Sequence, residues 1–425
     1  MDVKAGPTLR HGCRLNPAEL EIDLFCKGIR IHESCTLEQD ARFFARARAG
    51  LGSGLEIVIP GKKPVWMNVP VREHFSTTSP YELRKTGGQY QVHHTLDNET
   101  YDIQVPPPPR WYSKSTSSGA PMREIGVLQG TYLGFYVGDI CSFWQSEPLE
   151  NCRFCATGLN VGSPGGDKAL KSVDEVVEVA LAAKEESGIT FVHFNTGDQK
   201  NRGLEICAPF VKAIKEKVGA LVGVQAIPTK ELWKYDWIVD CGCDHLSFCY
   251  ELHNPKYFAE YLPGKVKHIG QRMFFDAMEY SSRKMGKGRV SGEIIAGIEP
   301  LEDTLAAIDY ITGIGAFPTV CIFRPVEGTA MQDWPSPEYE DMVKVFRRVY
   351  EGCMKNGVPI GLTPNIEVSL VVQPTDAEYL VQPSFSYYLY KTKLALMRPI
   401  VGVIFRRAIQ PRTIRANAEQ APEPA

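Results

Sequence analysis

The chain has 425 residues, of which 44% are hydrophobic and 23% charged. That balance excludes disordered, collagen-like and coiled-coil classes over most of the length and leaves room for two or three domains. Lys and Arg total 47 against 50 Asp and Glu, a net charge of −3, so no global positive field favours nucleic acid.

In chain order, the first 25 residues lack the basic-then-apolar layout of an export signal, and no window reaches about 18 uninterrupted apolar residues. The expectation is a cytoplasmic protein. Twelve cysteines in such a chain read as reduced thiols, serving metal or redox chemistry or packed as small apolar side chains, not as a secreted disulfide framework. Thr36-Leu37-Glu38-Gln39 has the form of a capping box and predicts a helix over 36–50. Strands are predicted over 55–60, 65–71 and 89–96, separated by Gly, Pro and Asn turns. The run Pro106–Pro109 is a stiff spacer, and with the polar stretch Ser113–Gly119 it marks a domain boundary. Residues 1–110 are therefore read as a small α+β domain, a candidate lid and substrate-recognition unit.

From Gly126 strands and helices alternate. Short β-rich runs at 133–140, 189–195, 220–227, 245–251, 290–298 and 318–324 are separated by helical segments at 172–187, 203–218, 229–240, 268–285 and 301–314. This is the pattern of parallel βαβ units. It predicts an α/β fold over 120–375, a parallel (β/α) barrel, partial or full TIM-like, in preference to a doubly wound sheet. A helix over 337–356 and a strand-like stretch over 366–373 are expected to extend it. Residues 376–425 form a C-terminal extension with a helical tail. From Tyr387 to Arg415 this extension is apolar and basic with no acidic residue, carrying Lys391, Lys393, Arg398, Arg406, Arg407, Arg412 and Arg415. Two readings stay open: a helix docked on the barrel with a solvated basic face, or a weak peripheral contact with a membrane surface. The last ten residues read as a disordered tail.

The strongest chemical signal is Cys141, Cys152 and Cys155, a C-x10-C-x2-C array just past the first strand of the βα series. α/β proteins place their chemistry at that end of the sheet. Structural zinc usually takes four ligands, and no fourth Cys or His follows at a suitable spacing. Three thiolates with an open position suit a [4Fe–4S] cluster in which one iron binds something exchangeable. The other cysteines carry no such pattern. Cys13, Cys26, Cys35, Cys207, Cys241, Cys243, Cys321 and Cys353 are read as packing residues, as is His193.

Here the chain resembles the radical S-adenosylmethionine (SAM) superfamily, whose motif is C-x3-C-x-aromatic-C after the first barrel strand. Cys152-Arg153-Phe154-Cys155 matches its second half, with Phe154 as the aromatic, while the first gap is ten residues instead of three. The resemblance implies further site residues. Thr196-Gly197-Asp198 stands where the family carries a turn binding the SAM amino group, and Ser247 and Glu251 where it contacts the SAM ribose or amino group. The stretch Ser291–Glu299 and the turn Pro325–Thr329 correspond to adenine contacts, centred on Ile295 and Val326. Cys249 would face the substrate space as the catalytic candidate. The barrel most resembles the biotin synthase, methylornithine synthase and hydrogenase-maturase branch.

The implied activity is reductive cleavage of SAM at the [4Fe–4S] cluster to a 5′-deoxyadenosyl radical, which abstracts hydrogen from a small-molecule substrate. Rearrangement, oxidation, cyclisation or C–C bond formation would follow. The implied partner is a reducing electron donor such as flavodoxin or ferredoxin. Two other readings of the same cysteines remain: a zinc-dependent barrel hydrolase, and a non-catalytic iron–sulfur electron-transfer or scaffold protein.

Overall fold

A computed structural model describes residues 14–35, 54–61 and 63–414. The N-terminal part comprises α1 (Pro17–Lys27), β1 (Arg30–Ile31), β2 (Gly54–Ile59), β3 (Val65–Pro70), β4 (Tyr81–Thr86), β5 (Gln89–His94) and β6 (Glu99–Ile103). Then follow α2 (Met122–Ile125), β7 (Val127–Gln129), β8 (Tyr132–Tyr136), α3 (Thr157–Asn160), α4 (Val173–Ser187), β9 (Phe191–Asn195), α5 (Gly203–Ala213), β10 (Leu221–Gln225), α6 (Trp233–Asp240) and β11 (His245–Glu251). The remaining elements are α7 (Pro255–Tyr261), α8 (Pro263–His268), α9 (Gln271–Met285), β12 (Val290–Ala296), α10 (Leu301–Gly313), β13 (Phe317–Ile322), α11 (Tyr339–Asn356) and α12 (Phe385–Ala408).

Strands β8 to β13 are parallel and lie side by side in chain order, with β7 antiparallel on the β8 edge. Because the strand order never reverses, right-handed crossovers put the intervening helices on one face, and the sheet curls around its other face. Strand β13 does not pair with β7, so the result is a partial barrel, within the fold class expected. Side chains alternate accordingly. On β11, Phe248 meets Tyr235 of α6 at 5.6 Å and Tyr250 meets Phe275 of α9 at 5.3 Å, both on the helical side. Ser247 and Cys249 therefore face the concave interior.

Helix α4 shows why these segments hold as helices. The Ser172 hydroxyl accepts the Glu175 N–H at 3.2 Å and the Glu175 carboxylate accepts the Ser172 N–H at 2.9 Å. The helix ends at Gly188 in the left-handed region, φ 62°. Ser172→Ala is expected to destabilise the protein by about 1 kcal/mol. The measurement is urea unfolding, with a lowered midpoint and an unchanged m-value.

The N-terminal part folds as a four-stranded sheet ordered β1-β4-β5-β6 and a β2–β3 ribbon. The ribbon is tied to the chain after β6 by paired backbone bonds between Val58 and Gln104. Helix α1 packs on β3 and α11, and one apolar core runs continuously from Ala18 to Leu394. The expected helix over 36–50, Cys13, Arg415 and the terminal tail lie outside the described residues. The expected strand over 366–373 is not a strand. Its backbone bonds to two different places, Asn68 N–H to the Ser369 carbonyl at 2.6 Å and Thr131 N–H to the Glu367 carbonyl at 2.9 Å. Its apolar residues Val371 and Val372 are buried as packing between the two parts, without a ladder partner.

Helix α12 is the expected C-terminal helix, and it docks through Tyr390 and Leu394 against α11. No described helix is long and apolar enough to cross a membrane.

Candidate functional site

The chain leaves β8 at Tyr136 and turns into the cysteine loop at the carboxyl end of the sheet. The ten-residue gap between Cys141 and Cys152 is folded against α7 and α8. Phe143 stacks on His268 with ring centres 5.8 Å apart, and the Gly264 N–H donates to the Glu150 carbonyl at 2.9 Å. The Glu150 carboxylate is held by Lys267 and, at 2.6 Å, by His268. The Arg153 N–H donates to the Tyr261 carbonyl at 3.0 Å. Packing thus fixes the long gap locally.

Cys141, Cys152 and Cys155 stand within electrostatic reach of one another. Burial pushes the Cys141 thiol up to about 11 and raises the other two. Backbone N–H groups of Asp198, at 3.4 Å, and Phe143 oppose this at Cys141. Thr157 does the same at Cys155, through its N–H at 3.4 Å and its hydroxyl at 3.1 Å. The Trp144 indole N–H also favours the Cys155 thiolate. Donors directed at buried sulfurs are what thiolate ligands need, and metal loading would displace the thiol protons. No three described His, Cys, Asp or Glu side chains form a group able to share one metal ion; in an iron–sulfur cluster each cysteine takes a separate iron.

The turn after β9 packs against Cys141. Gly197 has φ 59°, and a Cβ there would lie 2.9 Å from both the Cys141 Cβ and the Tyr136 hydroxyl. Its N–H donates to Asn195 Oδ1 at 2.8 Å, and its carbonyl accepts the Thr196 hydroxyl at 2.9 Å. The Asp198 carboxylate is engaged by the Ser142 hydroxyl and by the Lys200 N–H at 3.3 Å. The turn therefore supports the cysteine loop directly.

Inside the barrel β10, β11 and β12 share a polar cluster. Ser247 meets Ser291 at 2.9 Å and donates to Glu293. The Cys249 thiol donates to Glu293 Oε2 at 2.7 Å, and Gln225 donates to the same oxygen at 2.7 Å. Asn195 donates to Gln225 at 2.8 Å. After Cys249 the β11 register slips by one residue at a bulge, with Glu251 at φ 62°. The bulge turns Glu251 to Lys265 of α8, and the Lys265 ammonium also donates to the Cys249 carbonyl at 2.6 Å. Burial alone would lower Lys265, but Glu251, Cys152 and Cys249 outweigh it and hold the ammonium above its ordinary range. A buried positive charge thus stands beside the cysteine loop.

Phe154 and Ile295 line one narrow cavity together with Cys321, Arg324, Leu370 and, from α1, Phe25. Val326 sits in the turn after β13, where its carbonyl accepts the Thr329 N–H at 3.2 Å and hydroxyl at 2.7 Å. The Glu299 carboxylate accepts N–H bonds from His253 and Asn254 at 2.7–3.0 Å, and burial pushes it up to about 7. Cys26, Cys35, Cys207, Cys241, Cys243, Cys321 and Cys353 are buried as packing residues. His193 packs beside Tyr132 and Phe191.

No protein-family model matches the chain. The bacteriochlorophyllide c C-7(1)-hydroxylase of Chlorobaculum limnaeum is 28% identical over 126 residues, 29% of this chain and 30% of that protein. The chain is therefore similar to that enzyme over part of its length. The match spans under a third of the relative's length. Distant likenesses among solved structures include the FeFe-hydrogenase maturase of Carboxydothermus hydrogenoformans, 18% identical with a TM-score of 0.41 over 52% of each chain. Methylornithine synthase is 15% identical with a TM-score of 0.41, covering 69% of this chain and 94% of its own. A radical SAM methyltransferase from Sphaerobacter thermophilus is 13% identical with a TM-score of 0.40, covering 64% of this chain and 75% of its own.

Radical SAM proteins use a [4Fe–4S] cluster and SAM, and the buried Cys152 with the half-buried, N–H-supported Cys141 and Cys155 is a donor set that fits. Glu293, Gln225, Asn195 and Lys265 were not among the residues expected from sequence. Glu293 had a signal, since it shares a face with Ser291 by strand alternation; Lys265 had none, because its place depends on how α8 folds back over the loop.

Proposed function

We propose that this chain is a radical SAM enzyme in which Cys141, Cys152 and Cys155 hold the cluster and hydrogen is abstracted from a small molecule inside the partial barrel. When bound, cluster and SAM supply an electron and a 5′-deoxyadenosyl radical able to take a hydrogen atom from carbon. The observation that carries the reading is the convergence of the three loop thiols with the Gly197 turn and the Lys265–Glu251 pair at the carboxyl end of the sheet.

The chain's own residues divide the work. Lys265 offsets negative charge on the thiolates, and the Thr196-Gly197-Asp198 turn braces Cys141 and offers polar groups to the SAM amino acid end. Phe154, Ile295 and Val326 enclose the adenine, and Ser247 and Glu251 face the ribose side. Cys249, hydrogen-bonded to Glu293, faces the substrate space. The N-terminal part closes the mouth. Arg324, just past β13, donates to the Asn68 carbonyl of β3 at 2.9 Å and pairs with Glu73 at 3.5 Å, and Phe25 reaches the cavity beside Phe154. Such closure excludes water and holds the target C–H in place. The electron comes from a flavodoxin- or ferredoxin-like donor.

The test is anaerobic purification with iron and sulfide quantification, then incubation with dithionite and SAM. The expected result is about four irons per chain and 5′-deoxyadenosine that is lost in Cys152→Ala/Cys155→Ala. Bound zinc with intact SAM would instead support the hydrolase reading, and a cluster without SAM cleavage the electron-transfer reading.

A further inference from the structure

Helix α12 carries an apolar face that nothing in the described structure covers. Tyr390, Leu394 and Phe405 are buried on one side. On an adjoining side, at helical spacing, Leu396 is 71% exposed, Ile400 66% and Ile404 61%, with Phe385, Leu389 and Val403 also exposed. The helix is not a loose end. At its start Tyr387 and Lys391 bond to Glu378 at 2.7 and 2.5 Å. Beyond its end the Ile409 carbonyl accepts from Lys184 at 3.2 Å, the Arg412 N–H donates to the Lys215 carbonyl at 3.0 Å, and the Ile414 N–H donates to Glu216 at 3.0 Å. The start is tied to the segment before the helix and the end to the barrel, so the apolar face is held outward.

The charges say what occupies it. Helix α12 contains Lys391, Lys393, Arg398, Arg406 and Arg407 and no acidic residue. Arg398, Arg406 and Arg407 are exposed, and their long stems let the cations reach a phosphate layer while the apolar side chains enter below it. Tyr388, also exposed, has the amphipathic form favoured at such a boundary. A second copy packed face to face would bring two all-cationic helices together without a carboxylate from either.

We propose that α12 docks this protein on the surface of an anionic lipid bilayer, lying in the interface plane. The proposal is independent of the reaction catalysed. The test is co-sedimentation of the full chain with phosphatidylcholine vesicles and with phosphatidylcholine–phosphatidylserine vesicles. The wild type is expected to bind the anionic vesicles and to be released by salt. Leu396→Gln/Ile400→Gln/Ile404→Gln should lower that binding about tenfold or more, with an unchanged circular dichroism spectrum. Arg398→Ala/Arg406→Ala/Arg407→Ala should abolish the preference for anionic lipid. Failure of the wild type to bind either vesicle overturns the proposal. So does a concentration-dependent dimer in sedimentation velocity that the Gln variant abolishes, since that result assigns the face to a second copy.

Discussion

Replacing Lys265 with Met is expected to destabilise the protein by about 3 kcal/mol and to remove nearly all SAM cleavage. The first effect follows from burial. Lys265 and Glu251 have side chains only 5% and 15% exposed, and removing one partner leaves the other as an uncompensated charge. Glu251→Gln/Lys265→Met removes both charges and should recover most of the stability, measured by denaturant unfolding of the metal-free protein. The activity should not recover. Lys265 also acts on Cys152 and holds the Cys249 carbonyl beside the β11 bulge, neither of which the double variant restores. A positive charge beside the thiolates favours the more negative, reduced cluster, so in both variants the cluster should be reduced at a lower potential. A double variant with wild-type cleavage and potential would make the pair purely structural.

What was legible in the sequence was what is local. Each barrel strand is a short β-branched or aromatic run bounded by turn residues, and Cys152-Arg153-Phe154-Cys155 lies within one turn. Helix α1 was not foreseen. Its apolar face is interrupted by Glu19, Glu21 and Asp23, and the last two are buried, Asp23 accepting from Tyr81 at 2.5 Å and pairing with Lys27 at 2.7 Å. Its start was nonetheless written in Asn16, Pro17 and Glu19, which form a capping box with proline in the first turn. The stretch 366–373 misled because a β-rich run is apolar whether it pairs in a sheet or only fills a seam. The polar cluster on β10 to β12 depends on the lateral register of three strands, which periodicity along any one of them does not contain.

Gly197→Ala is expected to separate structural cost from loss of the cluster. In the left-handed region a Cβ costs about 1–2 kcal/mol, and Gly188→Ala supplies the control, because at φ 62° its Cβ meets nothing within 4 Å. At Gly197 the same backbone conformation adds a collision, with the Cys141 Cβ and the Tyr136 hydroxyl both 2.9 Å away. Tyr136 is anchored by its bond to the Asp139 carbonyl at 2.9 Å, so Cys141 has to yield. Its sulfur would then move away from the Asp198 N–H that supports it. Gly188→Ala should lower stability by about 1 kcal/mol and leave iron content and SAM cleavage unchanged. Gly197→Ala should remain folded yet bind iron poorly and cleave SAM about 100-fold more slowly, equivalent to about 2.7 kcal/mol in the transition state. Normal iron content and cleavage in Gly197→Ala would remove Cys141 from the ligand set and leave Cys152 and Cys155 in need of another third ligand.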